Sequence, residues 1–377
     1  MVPVVDLSRR GREVAADFAI TVARIVASGS RLLGEETVAF EREFAAWLQP
    51  EAGGTSQTST STSTPTSMST PTSTSTAAPI EVVSVSSGAS ALQLALAGLG
   101  VGPGDEVIVP AFTAVPTAAA VCALGAVPVP VDVEAESACL DPALLDAART
   151  ARTKAVVVVH LYGRPATLPV TDLPIVEDAA QAHGAIRDHH RSAAVAYSFY
   201  PTKNLGGIGD GGAVVTADSA LASRVRRLRV HGMTEMYVHE EISQNFRMSE
   251  LEAAWLRLSL HRLASDNDRR RAIAAHYRSA APQLRWQSTE PAHVYHLCVM
   301  RSIGRQAVRD SLAALEVGTA IHYPLSIPDQ PAYRSFTRVA CPESRAWAEE
   351  CISLPCFPDL SDGEVEQVAT ALAGLRA

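Results

Sequence analysis

The sequence predicts an α/β protein with a mainly parallel central sheet and a smaller C-terminal α+β domain. From residue 80 onwards, short apolar segments alternate with helical stretches, a pattern typical of parallel strands joined by right-handed crossovers. From Leu221 the pattern is mainly helical, and after Ala281 it becomes mixed again. A chain of 377 residues is long enough for one large domain and a smaller one. In such sheets, ligands bind outside the carboxyl ends of the strands.

The pattern divides the chain into four segments. Residues 1–48 are predicted to be N-terminal helices, because apolar residues recur close to helical spacing within 13–28 and 35–48. Residues 49–79 are predicted to be a Ser/Thr-rich insert or disordered loop. The core of this segment contains only Ser, Thr, Pro, Gln and Met and cannot bury apolar surface. We expect residues 80–260 to form the large α/β domain and residues 261–377 the small C-terminal domain.

Individual elements are predicted from their apolar periodicity. In the α/β region we predict strands at 80–84, 106–109, 127–131, 155–160 and 175–177, and helices at 91–99, 115–124 and 142–149. Further along we predict helices at 221–230, 304–315 and 361–375 and strands at 294–300 and 317–321. Residues 249–277 are predicted to form one long helix, which begins at Ser249 as its N-cap.

Charge and cysteine usage argue against several classes of protein. The formal net charge of -8 disfavours nucleic acid as the main partner. No apolar run reaches the roughly 18–20 residues that span a bilayer, so we expect no membrane segment. The six cysteines form no Cys-x-x-Cys pair and no spacing suited to zinc. We therefore expect no metal site and a reduced, cytoplasmic chain.

Lysine is almost absent from this sequence. Of its 32 lysines and arginines only two are lysines, Lys154 and Lys203. A lysine can lose its proton and form a Schiff base with an aldehyde, whereas the guanidinium of arginine stays protonated. Lys203 lies between the apolar segment 193–200 and a glycine-rich turn, at the predicted mouth of the sheet. Taken alone, Lys203 could equally be a solvated loop charge.

Two further motifs carry polar groups at predicted strand ends. The small residues of 86–90 lie between a strand and a helix, where backbone N–H groups can bind a phosphate, although many ordinary turns have this composition. Asp178 and Gln181 follow another strand. An aspartate there can hold a protonated ring nitrogen, and a glutamine can donate to a ring oxygen. A helix N-cap is the competing interpretation of Asp178.

Taken together, these motifs resemble the DegT/DnrJ/EryC1/StrS family, the sugar aminotransferases that depend on pyridoxal 5′-phosphate (PLP). The resemblance runs from residue 4 to about residue 368, apart from the Ser/Thr-rich insert. The matching motifs occur in the family's order and are Ser87–Ala89, Pro110–Thr113, Asp132 with Leu140–Pro142, His160–Gly163, Glu177–Ala185, Ser198–Thr216, His231–Gly232, Asn245–Ala254 and Ile321–Pro324.

The resemblance implies a fold-type I PLP-dependent transferase. Lys203 would form the Schiff base with PLP and later move the proton of the substrate carbon. Asp178 would pair with the pyridine nitrogen and keep it protonated, so that the ring accepts electrons. Gln181 would contact the ring oxygen or the phosphate side. The phosphate would be bound by Gly88, Ala89 and Ser198.

The resemblance also implies a homodimer with shared active sites. Asn245 would reach the phosphate of the neighbouring subunit's PLP. His322 and Tyr323 would lie near the sugar or the dimer seam.

The sequence departs from the family pattern in four places, and two of them bear on the site. Ala89 stands where the family usually has threonine, and Ser87 or Ser90 could supply the missing hydroxyl. Ala114 stands where an aromatic residue often stacks on the cofactor, and we expect Phe112 to take that role. The stretch between Pro165 and Ile175 is too short for the helix that the family usually has there.

The implied function is PLP-dependent transamination of a keto-sugar. The expected substrate is a nucleotide-linked (dTDP-type) keto-deoxyhexose of deoxyaminosugar and antibiotic biosynthesis, with L-glutamate as amino donor. One alternative is an aminotransferase for a cyclitol, a keto-inositol. Others are a PLP-fold sugar dehydratase, whose relatives carry histidine at the Schiff-base position, and a regulatory homologue without turnover.

Overall fold

The computed structural model describes residues 1–49, 79–186 and 188–375. Residues 50–78 of the predicted Ser/Thr-rich insert therefore lie outside the described residues. In the described ranges, the central sheet has seven strands: β1 (Glu81–Val85), β2 (Glu106–Pro110), β3 (Val127–Val131), β4 (Thr153–Val159), β5 (Ile175–Asp178), β6 (Ala194–Ser198) and β7 (Gly212–Thr216).

The central sheet is mainly parallel, as predicted. The strand order is β1-β7-β6-β5-β4-β2-β3, and only β7 runs antiparallel to its neighbours. Its strands are rich in valine and almost wholly buried, which is typical of a sheet covered on both faces. Because β1 and β6 are both antiparallel to β7, they run parallel to each other. The carboxyl ends of β1, β4, β5 and β6 therefore meet at one edge.

Helices cover the faces of the sheet and form much of the C-terminal part. The α-helices of the described ranges are α1 (Leu7–Ser28), α2 (Glu35–Leu48), α3 (Gly88–Gly98), α4 (Pro116–Cys122), α5 (Leu145–Ala148), α6 (Ser219–Leu228), α7 (Glu250–Leu260), α8 (Leu263–Ala280), α9 (Arg305–Ala314), α10 (Pro342–Glu350) and α11 (Asp362–Ala373). None of them combines the length and the apolar character needed to cross a membrane.

A carboxylate from α7 caps α2. The N-cap residue of α2 is Gly34, which has no side chain to accept a hydrogen bond. The buried Glu250 carboxylate instead accepts the N–H groups of Gly34 (2.8 Å), Glu36 (2.8 Å) and Thr37 (3.1 Å). These are orphan donors of the first helical turn, so α7 fixes the N-terminal helices against the large domain.

Two small antiparallel elements complete the fold. Strands β8 (Met233–Glu235) and β9 (Val238–His239) form a hairpin, and β10 (Arg285–Trp286), β11 (Cys298–Arg301) and β12 (Cys351–Leu354) form a three-stranded sheet. The C-terminal sheet packs with α8 and α11 around a separate apolar cluster that includes Tyr277, Leu312, Ile352 and Val368. This matches the predicted α+β composition, while the boundary at residue 260 remains a prediction.

The single helix predicted over 249–277 is wrong. The structure breaks it after Leu260, and α8 starts at Leu263. No glycine or proline marks the break in the sequence. At the break, Arg262 pairs with Glu13 and with Asp359 (3.7 Å), so the break coincides with ion pairs to distant parts of the chain.

Two other predictions in the C-terminal part need correction. Residues 317–321 form no regular strand, because only Val317 and Ala320 make isolated bridges, to Val2 and Ser353. Helix α10 and strand β12 were not predicted; they are short and follow each other directly. By contrast, residues 164–174 contain no helix or strand, as their length predicts, and Leu168 and Leu173 pack on the sheet face there.

Candidate active site

Four chain segments bring polar groups to the shared carboxyl edge of the sheet. Asp178 is the last residue of β5, and Ser198 is the last residue of β6. Lys203 lies in the loop after β6, and residues 86–90 form the turn after β1. Gly212, the first residue of β7, pairs with both Val85 and Ser198. The fold therefore gathers the motifs that lie far apart in the sequence.

Asp178 is held by two hydrogen bonds in a buried position. It is 5% exposed. The Thr117 hydroxyl donates to Oδ2 (2.9 Å) and the Ala180 N–H to Oδ1 (3.1 Å). Burial raises the pKa of this carboxyl, whereas both hydrogen bonds and the Lys203 charge oppose that effect. A buried carboxylate of this kind gains from a cationic partner such as a protonated ring nitrogen.

Lys203 is partly buried and lines a cavity. Burial lowers the pKa of its ammonium group to about 8, and the nearby Asp178 acts in the opposite direction. No hydrogen bond joins Nζ to any residue in the described part of the chain. An amine with this pKa is about one tenth neutral at pH 7, so it can act as a nucleophile or as a base.

Helix α7 supports the loop that carries Lys203. Glu252, 3% exposed, accepts the Gly209 N–H through Oε2 (2.9 Å). The Trp255 Nε1–H donates to the Gly206 carbonyl (3.0 Å). A Cβ on Gly207 would overlap Glu252 Oε1. A glycine is thus needed at position 207, where this loop meets α7.

The turn after β1 presents hydroxyls at the N-terminus of α3. Ser87 Oγ accepts the Ser90 N–H (3.1 Å), and the Ser90 hydroxyl lies 2.9 Å from Ser86 Oγ and 2.8 Å from Ser87 Oγ. A Cβ on Gly88 would overlap Ser198 Cβ and lie 2.9 Å from its Oγ. Backbone N–H groups, hydroxyls and the helix N-terminus form a donor set that suits a phosphate.

His322, Tyr323 and Gln181 form a group of side chains at the cavity next to Lys203. The cavity has a volume of about 300 Å³, and His322 and Tyr323 line it together with Lys203. Gln181 joins this group because its Nε2 donates to the Tyr323 hydroxyl (3.1 Å) and its Oε1 accepts the Tyr162 N–H (2.6 Å). Burial raises the pKa of Tyr323 to about 12, so the phenol stays protonated at neutral pH.

Two predicted residues are not brought to this group. Phe112 has no exposed surface, and its ring stacks on Trp347 in the core (6.1 Å between centroids). A fully enclosed ring has no free face for a ligand, so the structure does not support the expected stacking role of Phe112. Asn245 is exposed, and its Oδ1 accepts from Arg247 Nε (2.9 Å). The predicted contact of Asn245 across a dimer stays a prediction.

Sequence reasoning missed several residues of the site. Thr117, which bonds Asp178, lies four residues after Thr113 of the motif Pro110–Thr113, and this proximity is the only signal in the sequence. Arg270 and His296 line the cavity with Lys203. Nothing in their sequence neighbourhood distinguishes them from other charged positions of a helix or loop.

Comparison with known proteins identifies the family. Residues 79–373 match the DegT/DnrJ/EryC1/StrS aminotransferase family. The erythromycin biosynthesis sensory transduction protein EryC1 of Saccharopolyspora erythraea is 41% identical over 392 residues, which cover 99% of this chain and 99% of that protein. The dTDP-3-amino-3,4,6-trideoxy-alpha-D-glucose transaminase of Streptomyces venezuelae is 40% identical, over 98% of this chain and 95% of that protein.

A solved structure shares both the fold and the sequence pattern. The crystal structure of S. venezuelae DesV in complex with a ketimine intermediate superposes with a TM-score of 0.86. The two chains are 38% identical, and the match covers 100% of this chain and 99% of that one. The central sheet and the order of the motifs agree with a fold-type I transferase. The chain belongs to the DegT/DnrJ/EryC1/StrS family and is a PLP-dependent aminotransferase.

Proposed function

We propose that the protein transfers an amino group from L-glutamate to a nucleotide-linked keto-deoxyhexose, with PLP as cofactor. The observation that carries this proposal is the placement of Lys203 and Asp178 at one edge of the sheet, with the pKa of Lys203 lowered to about 8. A lysine that is partly neutral near pH 7 and lies beside a buried carboxylate suits reversible proton transfer at an amino carbon.

Each part of the site has a role in this proposal. When bound, PLP supplies an aldehyde carbon for the amino group and an electron-accepting ring. Asp178, fixed by Thr117 and Ala180, would hold the ring-nitrogen proton. The hydroxyls of Ser87, Ser90 and Ser198 and the N-terminus of α3 would bind the phosphate, with Gly88 and Ala89 close to it. Gln181 would contact the ring side through the amide that also meets Tyr323.

The choice of substrate rests on relatives and on the cavity. The S. venezuelae relative is named as a transaminase of a dTDP-linked trideoxy sugar. His322 and Tyr323 present ring and hydroxyl groups to the cavity beside Lys203, and such groups can hydrogen-bond a sugar. Sugar contacts from these two residues, and L-glutamate as the donor, are parts of the proposal.

The assembly and compartment belong to the same proposal. We expect a homodimer in which the exposed Asn245 reaches the neighbouring subunit's site. Apolar residues near it are also exposed, among them Met236, Tyr237 and Ile242, which would favour burial against a second copy. All six cysteines are free thiols, which suits a reducing, cytoplasmic compartment.

The test is the absorbance spectrum of the PLP-loaded protein before and after L-glutamate. The wild type should lose its yellow band on addition of the donor. Lys203→Ala should lack the normal band and react at least about 10³-fold more slowly. Lys154→Ala is the matched control, because Lys154 is the other lysine and is exposed on β4; it should behave as the wild type.

The acceptor is identified in a second step. The amine-loaded protein is mixed with a dTDP-linked keto-deoxyhexose or with a keto-inositol, and return of the yellow band reports transfer. A response to the keto-inositol alone would replace the sugar substrate by a cyclitol. A wild type that binds PLP but responds to no amino donor would overturn the aminotransferase reading of this site and leave a regulatory role.

A further inference from the structure

The cavity that Lys203 lines contains further basic side chains. Its lining includes Arg270, His296 and His322 as well as Lys203, and it contains no aspartate or glutamate among the described residues. Its volume of about 300 Å³ lies at the lower end of small-molecule sites. A cavity of this size can hold a ligand as small as an amino acid.

Arg270 is a buried cation without a carboxylate partner in the described part of the chain. It is 4% exposed, and its Nη1 donates only to carbonyl oxygens, those of Tyr295 (3.3 Å), His296 (3.4 Å) and Cys356. Its Nε is buried with no hydrogen-bond partner among these residues. A buried guanidinium in this state is costly unless an anion joins it.

The nearest carboxylates are engaged by other arginines. Asp266 pairs with Arg10 (3.2 Å) and Arg262 (3.5 Å), and Asp359 lies 3.7 Å from Arg262. Burial lowers the pKa of Arg270 to about 10, so the guanidinium stays protonated at neutral pH. The charge of Arg270 is therefore available to a ligand in the cavity.

The two histidines add hydrogen-bonding groups rather than charge. His296 Nδ1 lies 3.3 Å from Asn204 Oδ1, and His322 Nδ1 lies 2.9 Å from Ser353 Oγ. In each ring this leaves Nε2 for another partner. Burial lowers the pKa of both histidines, so neither is expected to be protonated at pH 7. The positive charge of the cavity then comes from Arg270 and Lys203.

We propose that Arg270 binds a carboxylate of the amino donor in this cavity, with the donor's amino group directed towards Lys203. This inference rests on the proposed function and adds the residue that selects the donor. Arg270 lies in the same cavity as Lys203, its charge is unpaired by any described carboxylate, and the volume fits an amino acid. A charge-assisted hydrogen bond from a guanidinium is the strong contact that carboxylate recognition requires.

The experiment uses glutarate, a dicarboxylate without an amino group, so that binding is measured without reaction. Titration calorimetry on the PLP-loaded wild type should show binding of glutarate and much weaker binding of glutaramide, its neutral amide. Arg270→Gln should weaken glutarate at least about tenfold, and Arg270→Lys should weaken it less. The apparent affinity for L-glutamate in the absorbance assay should fall in parallel.

Arg269→Gln is the matched control. Arg269 is the neighbouring arginine on α8, but it bonds the Leu360 carbonyl (3.0 Å) and Asp362 (2.6 Å) outside the cavity. This variant should bind glutarate as the wild type does. Thermal unfolding of both variants separates a loss of affinity from a loss of structure.

Three results would overturn the inference. Glutarate and glutaramide could bind the wild type equally, which requires no variant and decides the matter even if Arg270→Gln does not fold. Arg270→Gln could lower the unfolding temperature yet keep the affinity for glutarate. It could also weaken thymidine diphosphate instead of glutarate, which would assign Arg270 to a phosphate. The proposed function fails separately, if no amino donor changes the absorbance of the wild type.

Discussion

The loop that carries Lys203 (residues 199–211) and helix α7 beneath it differ in how much of their role is visible in the sequence. The loop has a rare lysine and a run of glycines, and these features predict a reactive amine. Helix α7 has only an N-cap and an amphipathic pattern. Yet the Glu252 and Trp255 side chains of α7 bond the backbone of the loop. The reactive group comes from one segment, and its position depends on another about 50 residues later.

The two regions also differ in how their charges are satisfied. In the site, Asp178 accepts two hydrogen bonds, and its proposed cationic partner is the protonated ring nitrogen of the cofactor. Under the loop, Glu252 has one backbone donor for Oε2, while Oε1 is buried without a partner among the described residues. We therefore expect substitutions in the site to change rate more than stability, and substitutions at the contact between loop and α7 to change stability first.

The largest expected effect is a loss of rate on substitution of Asp178 in the site. Asp178→Asn should slow the L-glutamate half-reaction by about 10²–10³-fold, the usual loss when one preorganised electrostatic contact is removed. Burial raises the pKa of Asp178, so its ionised form costs stability at pH above that pKa. The variant without PLP should therefore unfold at the same temperature as the wild type or higher.

Glu177→Gln is the matched control on the opposite face of the same strand. His160 Nε2 lies 2.8 Å from its carboxylate. Although burial acts to raise it, this hydrogen bond holds the pKa of Glu177 below its usual range. The control should lose about 1–2 kcal/mol of unfolding free energy and keep the half-reaction rate. Equal rate losses in both variants would contradict the division of roles between the two carboxylates.

The next effect should come from Gly207→Ala. The new methyl would overlap Glu252 Oε1 and lie 2.9 Å from the Phe199 carbonyl oxygen. Overpacking of this kind should lower the unfolding free energy by about 2–3 kcal/mol, measured by urea denaturation. Gly209→Ala is the control, because its methyl would lie 3.5 Å from Glu252 Oε2, an ordinary contact. If both variants cost the same, the loop does not need a glycine at 207 for α7.

The same contrast explains how much could be read from the sequence. The parallel sheet, the shared edge and the candidate residues Asp178 and Lys203 followed from local patterns and from motifs that resemble a family. Arg262, which lies where the predicted long helix breaks, pairs with residues far away in the chain. Phe112 was assigned a stacking role by its place in a motif, but the burial of its ring against Trp347 depends on a helix more than 200 residues later. Such contacts leave no periodic signal.

Glu252→Gln should change the pH dependence of stability. Burial, with a smaller contribution from Asp210, raises the pKa of Glu252 from 4.5 to about 7. Because the pKa of Glu252 is higher in the folded state, protonated Glu252 contributes fully to the unfolding free energy below pH 4.5. This contribution is lost as the pH rises through 7. Glutamine has no proton to lose. As the pH rises from 5 to 8, the unfolding free energy of the variant minus that of the wild type should increase by about 2 kcal/mol, measured by urea denaturation. A difference that does not change with pH would mean that Glu252 does not titrate in this range.

The smallest expected effect separates the position of the loop from general stability. Trp255→Phe keeps an aromatic ring against Phe18 (5.2 Å between centroids) but removes the Nε1–H that holds the Gly206 carbonyl. It should cost about 1 kcal/mol and slow the half-reaction a few-fold, because the Lys203 loop loses one anchor. Trp286→Phe removes an equivalent hydrogen bond, to the Ala281 carbonyl (3.0 Å) in the C-terminal part. It should cost the same stability without slowing the half-reaction. If the two variants slow it equally, the loss of rate reflects general loosening of the fold, and Trp255 has no special part in holding Lys203.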